Sequence, residues 1–231
     1  MATRVMLIHA LRDSVAPIHA SFAAGWPEAE THDLLDSSLS ADHAADAGQL
    51  GEKMTERFRT LGRYAAAAGP EGRSADAILF TCSAFGPAIE AVKRDQPFPV
   101  LKPNEAAFAE AISHGPRVGM LCTFAPAEAP MLAELGAMGR EAGVPLVVEA
   151  RVVDGALAAL QGGRGEEHDA RIAVAAAALP PVDSIVIAQF SMARCAPAVR
   201  ARVSVPVLTT PDSAVAALRR MLSGGGGRRG G

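Results

Sequence analysis

The sequence predicts an α/β protein with parallel sheets, and three features indicate this fold class. Short apolar segments alternate with longer segments of helical periodicity, the pattern of parallel strands joined by crossover helices. This alternation occurs twice along the chain. The length of 231 residues allows one large or two small domains with a substantial buried core. We therefore expect two doubly wound parallel-sheet domains.

Strands and helices are predicted in order from these segments. Six apolar runs predict strands at residues 5–8, 77–81, 100–101, 118–121, 184–188 and 205–208, with weaker candidates at 31–35 and 146–148. Helical periodicity predicts helices over residues 49–68, 84–93, 105–114, 126–141, 167–179 and 212–222. The Gly- and Arg-rich tail that follows has too little apolar surface to fold and is expected to be disordered.

The two halves of the chain repeat one another in sequence. Residues 76–82 (DAILFTC) align with residues 183–189 (DSIVIAQ) at an offset of 107, and the same offset continues downstream through residues 98–101 and 105–109. Residues 4–8 align with residues 117–121 at an offset of 113. These matches indicate an internal duplication that gives two domains related by a pseudo-twofold axis. Because open parallel sheets bind ligands at the carboxyl ends of their strands, we expect the active site between the domains.

The repeat also predicts where the domains begin and end. The first domain should comprise residues 1–104 and 210–222, the second residues 105–209, and residues 223–231 should form the tail. Cys82 and Gln189 follow equivalent strands. We therefore expect these two residues to face one another.

Composition and charge exclude several classes of function. A net charge of −3 and a pI near 6.1 provide no basic surface for nucleic acid or an anionic membrane. We find no apolar run long enough to span a membrane and expect no export signal. Three cysteines without paired spacing argue against disulfides, so we expect a cytoplasmic protein. The sequence has no nucleotide, flavin or metal motif, so no cofactor or metal is expected.

Three motifs carry a resemblance to a known family. Residues 80–84 (FTCSA) are similar to a Thr-Cys-Asn-Thr loop, residues 118–123 (VGMLCT) to a Gly-x-x-x-Thr segment, and residues 99–107 (PVLKPNEAA) to a Pro-x5-Glu-Ala-Ala segment. In this order and spacing they resemble the aspartate/glutamate racemase superfamily, which includes hydantoin racemases, maleate isomerases and arylmalonate decarboxylases. The resemblance covers residues 4–222 and implies a cofactor-independent enzyme that acts on a small carboxylate.

The resemblance implies that two cysteines transfer protons on opposite faces of the substrate's α-carbon. Cys82 is the first, and because a helix follows it, we expect the helix N-terminus to lower its pKa. The second position holds Gln189, whose amide can form hydrogen bonds but does not transfer protons near neutral pH. Cys195 would need an unusual loop to replace the second cysteine, and both Cys195 and Cys122 are predicted to be structural.

Small polar residues at strand ends are candidates for binding the substrate carboxylate. Ser83, Ala84, Thr123 and Ser191 are expected to supply N–H and hydroxyl groups for this anion. The alternative is that the serines and the threonine only cap the helices that follow them.

Three residues after the first strand are also expected to contact the substrate. They are His9, Asp13 and Ser14. His9 could instead adjust the protonation of the cysteine or be an ordinary satisfied polar residue. His168, within an acidic segment, is predicted to be solvent-exposed at the start of a helix rather than a metal ligand.

The leading hypothesis is a racemase or epimerase of an amino acid or a derivative, with Cys82 as the acid or base. Because Gln189 replaces the second cysteine, a one-cysteine decarboxylase, lyase or cis–trans isomerase is the main alternative. A non-catalytic metabolite-binding protein is the second alternative. In each case the expected partner is a small-molecule carboxylate, not nucleic acid or a membrane, and we expect a homo-oligomer.

Overall fold

The computed structural model of the protein describes residues 2–46 and 48–224. Its contacts divide the chain into two compact units. Unit 1 contains the residues up to Pro103 and those from Ala214 onward, and unit 2 is Asn104–Ser213. Ser223 ends the last helix, and the rest of the tail predicted to be disordered, residues 225–231, lies outside the described residues. No helix in the described part of the chain has the length and apolar character needed to cross a membrane.

Unit 1 is built on a four-stranded parallel sheet. Its strands are β1 (Arg4–His9), β2 (Glu30–Leu35), β3 (Ala77–Phe80) and β4 (Val100–Leu101), in the order β2-β1-β3-β4. Its helices are α1 (Val15–Gly25), α2 (Ser38–Ala45), α3 (Glu52–Ala67) and α4 (Gly86–Asp95). The central strands β1 and β3 are buried along their whole length, which is typical of parallel strands covered on both faces.

Unit 2 has the same strand order. Its strands are β5 (Arg117–Cys122), β6 (Val147–Val152), β7 (Ser184–Ile187) and β8 (Val207–Thr209), in the order β6-β5-β7-β8. Its helices are α5 (Glu105–His114), α6 (Glu128–Glu141), α7 (Ala156–Gln161), α8 (Gly165–Ala177) and α9 (Ala196–Arg200). Helix α10 (Thr210–Ser223) begins in unit 2 and belongs to unit 1 from Ala214 onward.

The sequence repeat coincides with a repeat of strand pairing. Ile78 pairs with Val100 between β3 and β4, and Ile185 pairs with Val207 between β7 and β8, so both partners shift by the same 107 residues. The β1–β3 pairing corresponds to the β5–β7 pairing in the same way, with β1 shifted by 113 residues and β3 by 107. The two sheets therefore share their register as well as their strand order.

An arginine and an aspartate fix the start of the central strands in both units. In unit 1, the backbone N–H of Arg4 donates to the Asp76 carboxylate at 2.9 Å, and the backbone N–H of Asp76 donates to the Arg4 carbonyl at 2.9 Å. In unit 2, Arg117 and Asp183 make the same two bonds at 2.9 and 2.7 Å. These carboxylates thus satisfy a backbone donor at the beginning of β1 and β5.

The core of unit 1 brings α3 and α4 against the sheet. The Phe58 ring of α3 lies 5.4 Å from the Phe80 ring of β3 and 4.8 Å from the Phe85 ring before α4, measured between centroids. Gly62 lets α3 approach α4 closely, because a Cβ at this position would lie 2.5 Å from Cγ1 of Val92. Aromatic contacts and one small residue therefore set this packing.

The predicted α/β class is confirmed by the two parallel sheets. Every predicted strand forms, including the two weaker candidates, and the predicted helices form within a few residues of their expected ends. Four α-helices of the described residues were not predicted: α1, α2, α7 and α9.

Candidate functional site

Cys82 lies just beyond the carboxyl end of β3. Its backbone is extended, and a 3₁₀ turn at Ser83–Phe85 separates it from α4. The residue is partly exposed, and it lines a small, largely apolar pocket with Ile8, His9, Ala10, Leu39, Phe58 and Phe80. The other two cysteines of the chain, Cys122 and Cys195, are fully buried. Cys82 is thus the only one of the three cysteines with exposed surface.

The protonation of Cys82 differs from the sequence-based expectation. Burial raises the pKa of the Cys82 thiol above its ordinary value, and a hydrogen bond with the Ala84 backbone lowers it by a smaller amount. The expected lowering by the helix N-terminus does not prevail, because α4 begins only at Gly86 and the thiol is surrounded mainly by protein atoms. Near neutral pH the side chain therefore carries its proton.

His9, the last residue of β1, connects its strand to β2 and to the residue that follows β3. It is fully buried, with Nε2 3.0 Å from the Asp33 carboxylate of β2 and Nδ1 2.8 Å from the Thr81 hydroxyl beyond β3. Because a carboxylate can only accept, we place the ring proton on Nε2 and assign Nδ1 as the acceptor from Thr81. Burial lowers the pKa of His9, although the hydrogen bond with Asp33 opposes this, so the ring is neutral.

Asp33 is shared between two histidines. Nε2 of His19, in α1, lies 2.9 Å from both of its carboxylate oxygens. Burial raises the pKa of Asp33, but the hydrogen bonds of His19 and His9 lower it by more, so the carboxyl is ionised. The sequence did not identify Asp33, His19 or Thr81 as site residues, because their partners are far away along the chain. The available signal was a charged residue, Asp33, inside the predicted strand 31–35.

The hydroxyl groups around His9 are internal. Ser14 Oγ lies 3.2 Å from Nδ1 of His9 and 2.9 Å from Thr81 Oγ1, and it donates to the Leu11 carbonyl at 2.8 Å. Ser14, His9 and Asp33 have the composition of a hydrolase triad, but Ser14 is only 6% exposed and Thr81 only 5%. This geometry favours a positioning role, since it fixes Thr81 and hence the neighbouring Cys82.

The other predicted residues of unit 1 surround this network. Ser83 and Ala84 are partly buried in the turn after Cys82. Asp13 is exposed in the 3₁₀ turn at Arg12–Ser14 that follows β1. Cys82, Ser83 and Ala84 therefore form one continuous loop at the carboxyl edge of the sheet.

In unit 2 the structure brings Thr123 and Gln189 together. Gln189 follows β7, and its Oε1 accepts hydrogen bonds from the Thr123 backbone N–H at 2.7 Å and from the Thr123 hydroxyl at 2.9 Å. Ser191 is partly buried in the 3₁₀ helix at Phe190–Cys195 that follows. Thr123 thus uses both of its donors on a side chain of its own unit.

The two remaining cysteines are placed as structural residues. Burial, then the charge of Glu128, raises the pKa of Cys122 to about 11. Burial, then the charge of Asp169, raises the pKa of Cys195 to about 12. Both thiols are protonated near neutral pH and have no exposed surface.

In residues 2–46 and 48–224, no group of three or more His, Cys, Asp or Glu residues is arranged to hold a metal ion. His168, which was predicted to be solvent-exposed, is fully buried in α8, with Nδ1 2.8 Å from Asp169.

Comparison with solved structures reveals the same fold in several enzymes. A glutamate racemase from Bacillus anthracis superposes with a TM-score of 0.67 at 10% identity, over 97% of this chain and 83% of that one. An allantoin racemase from Klebsiella pneumoniae gives 0.64 at 19% identity, over 97% and 89%. A mutant arylmalonate decarboxylase gives 0.67 at 16% identity, over 99% and 97%. At these identities the likeness concerns the fold.

Sequence comparison identifies the family. No curated protein is similar enough in sequence to count as a match. The sequence model of the family described as Asp/Glu/Hydantoin racemase matches residues 27–218, which is most of the chain. The resemblance carried by the three motifs is therefore confirmed, and the chain belongs to the Asp/Glu/Hydantoin racemase family.

Proposed function

We propose that the protein is a cofactor-independent enzyme that transfers a proton at the α-carbon of a small carboxylate compound, with Cys82 as the acid or base. The observation that carries this proposal is the position of Cys82, a partly exposed residue just beyond the carboxyl end of a parallel strand. Family membership supports it, and similar folds include racemases of glutamate and allantoin and a decarboxylase of arylmalonates.

The state of the thiol favours Cys82 as a proton donor in the resting enzyme. Burial raises its pKa, so it carries a proton near neutral pH and can deliver it to a carbanion-like intermediate. We assign the carboxylate of the substrate to the loop of Ser83 and Ala84, with Ser191 as a further candidate. Backbone N–H and hydroxyl groups in such loops bind anions without adding charge.

Because Cys82 is the only candidate thiol, we expect proton transfer on one face of the intermediate only, which we call a one-sided reaction. Racemisation needs proton transfer on both faces of a planar intermediate, and the amide of Gln189 cannot supply the second transfer. Cys122 and Cys195 are buried and have pKa values of about 11 and 12, so neither replaces it.

Decarboxylation by one thiol is the second candidate, and the protonated state of Cys82 favours it. Cleavage of the bond to the departing carboxylate releases CO₂ and leaves its electron pair in an enediolate. The S–H of Cys82 then protonates the α-carbon from one face, and the thiolate regains a proton from water. The product would be a single enantiomer.

A screen for solvent-deuterium uptake tests the proposal. Amino acids, hydantoins, malonates and maleate should be incubated with the enzyme in D₂O, after dialysis against EDTA, and analysed by mass spectrometry and chiral chromatography. We expect one class to incorporate deuterium at the α-carbon. Cys82→Ala should lower the rate by about 10²- to 10⁴-fold, and Cys195→Ala, the matched control, should leave it unchanged.

Three outcomes would contradict the proposal or narrow it. Ligand binding without deuterium uptake would favour a metabolite-binding protein. Conversion of maleate alone would favour a cis–trans isomerase. A rate unchanged by Cys82→Ala would remove this residue from the mechanism.

A further inference from the structure

We propose that Gln189 is a fixed hydrogen-bond donor for an anionic oxygen of the ligand and that Thr123 is the positioning residue that fixes it. The inference rests on the proposed function for the identity of the ligand as a carboxylate or the enediolate formed from it. It changes the role of Thr123, which the sequence suggested as a direct substrate contact.

The bonds to Thr123 determine which way the amide of Gln189 points. The backbone N–H of Thr123, 2.7 Å from the side chain of Gln189, can only donate, so the atom it meets must be the oxygen. The Thr123 hydroxyl adds a second donor to the same oxygen at 2.9 Å. The –NH₂ group is therefore directed away from Thr123, and it has no hydrogen-bond partner among the described residues.

Turning the amide over would be costly. Its –NH₂ group would then face the Thr123 backbone N–H, so two donors would oppose one another and the backbone N–H would lose its acceptor. The two bonds to Oε1 also polarise the amide, which strengthens the –NH₂ group as a donor. Gln189 is thus a neutral, pre-oriented donor at the carboxyl end of β7.

A donor of this kind suits an oxygen that is negative or becomes negative. Hydrogen bonds to charged acceptors are stronger than those between neutral groups. The amide group also has no titration near neutral pH and stays uncharged there. Gln189 thus has a charge-stabilising role at the position where the family resemblance expects the second thiol.

Isosteric variants separate this role from a purely structural one. Gln189→Glu keeps an oxygen for both Thr123 donors but replaces the outward –NH₂ with a second, anionic oxygen. Gln189→Met removes the polar group altogether. Thr123→Val removes the hydroxyl and keeps the backbone N–H, and Thr123→Ser is its matched control.

Calorimetric titration with malonate, a small dicarboxylate, measures the effect without requiring turnover. We expect Gln189→Met to weaken malonate binding about tenfold or more and Gln189→Glu to weaken it further by repulsion. Thr123→Val should weaken it by less, and Thr123→Ser should be close to wild type. Because the readout is binding and not turnover, a failure of the proposed Cys82 chemistry is distinguishable from a failure of this inference.

Other outcomes overturn the inference. If Gln189 only joins the ends of β5 and β7, Gln189→Glu should bind malonate as wild type does, and Gln189→Met should lower the unfolding midpoint without a specific loss of affinity. Wild-type protein that does not bind malonate, or binds it with the same affinity as both Gln189 variants, would equally refute the donor role.

Discussion

Cys82 differs from an activated cysteine nucleophile because its thiol stays protonated. Burial raises its pKa, and the thiolate is the reactive species in alkylation. Iodoacetamide should therefore modify Cys82 slowly at pH 7, and the rate should rise at a higher pH than that of an ordinary thiol. Turnover should fall over the same range if the S–H is the proton donor.

Peptide mass spectrometry of the alkylated protein checks this prediction. Cys122 and Cys195, being fully buried, should react only in denaturant, where all three thiols should show the same pH profile. A Cys82 rate that levels off below pH 8 would mean that the loop after β3 stabilises the thiolate, as the sequence alone suggested.

The second residue-scale prediction concerns His9. Its folded-state pKa is lowered by burial, so the unfolded chain binds the proton more readily. The stability from neutral His9 is complete above the unfolded pKa of about 6.5 and is lost as the pH falls through the lower folded value. His9→Ala should lower the free energy of unfolding at pH 7.5 by about 2–4 kcal/mol, because Thr81 and Asp33 each lose a buried partner.

Urea unfolding at pH 7.5, 6.5 and 5.5 measures both effects. The wild-type protein should lose stability on acidification more steeply than His9→Ala. His114→Ala, at an exposed position at the end of α5, is the control and should keep the wild-type slope. A His9 variant with unchanged stability and slope would show that the network does not hold the strand ends together.

At the scale of the elements, replacing two helical glycines by alanine should have opposite effects on stability. A Cβ at Gly62 of α3 would lie 2.5 Å from Val92 Cγ1, whereas at Gly136 of α6 the nearest atom is the end of Arg140 at 3.5 Å. Gly62→Ala should destabilise by about 1–3 kcal/mol through overpacking. Gly136→Ala should stabilise by up to about 1 kcal/mol through helix propensity. Thermal unfolding measures both, and relief of the Gly62→Ala defect by Val92→Ala would locate its cause.

The strands could be predicted from sequence more completely than the helices. A buried parallel strand is marked by its own apolar run, as in β3 and β7, whatever it packs against. Helix α9 has only five residues and includes a proline, and α7 has six, so neither shows a periodic pattern of its own. Such helices form because packing on the sheet stabilises them.

The burial of His168 was also not predictable from its sequence neighbours. Its acidic neighbours suggested a solvated helix start, yet it lies on one face of α8 with Ile172 and Ala176, all of them buried. A helix buries residues by their position around its axis, so neighbours in sequence are poor guides to the exposure of a single residue.

For the whole molecule, the sequence repeat predicted which strand ends are equivalent, and the register of the two sheets agrees with it. It placed Cys82 in a loop after a buried strand, which the structure bears out. It could not predict the links from His9 to Thr81 and Asp33, because they join residues 72 and 24 positions apart through side-chain rotamers. Nor could it predict that Thr123 would hold the Gln189 amide.

The last prediction concerns the stereochemistry of the reaction. Gln189 in the second sheet is equivalent in register to Cys82 in the first sheet. The family resemblance implies a second thiol at this position. Wild-type enzyme should therefore give a single enantiomer, whereas Gln189→Cys should begin to racemise the product because a proton carrier is restored. Gln189→Ser is the control, because serine is similar in size to cysteine but does not transfer the proton at neutral pH. Chiral chromatography over time distinguishes these outcomes, and racemisation by the wild-type enzyme that survives Cys195→Ala would require a second proton carrier and end the one-sided mechanism.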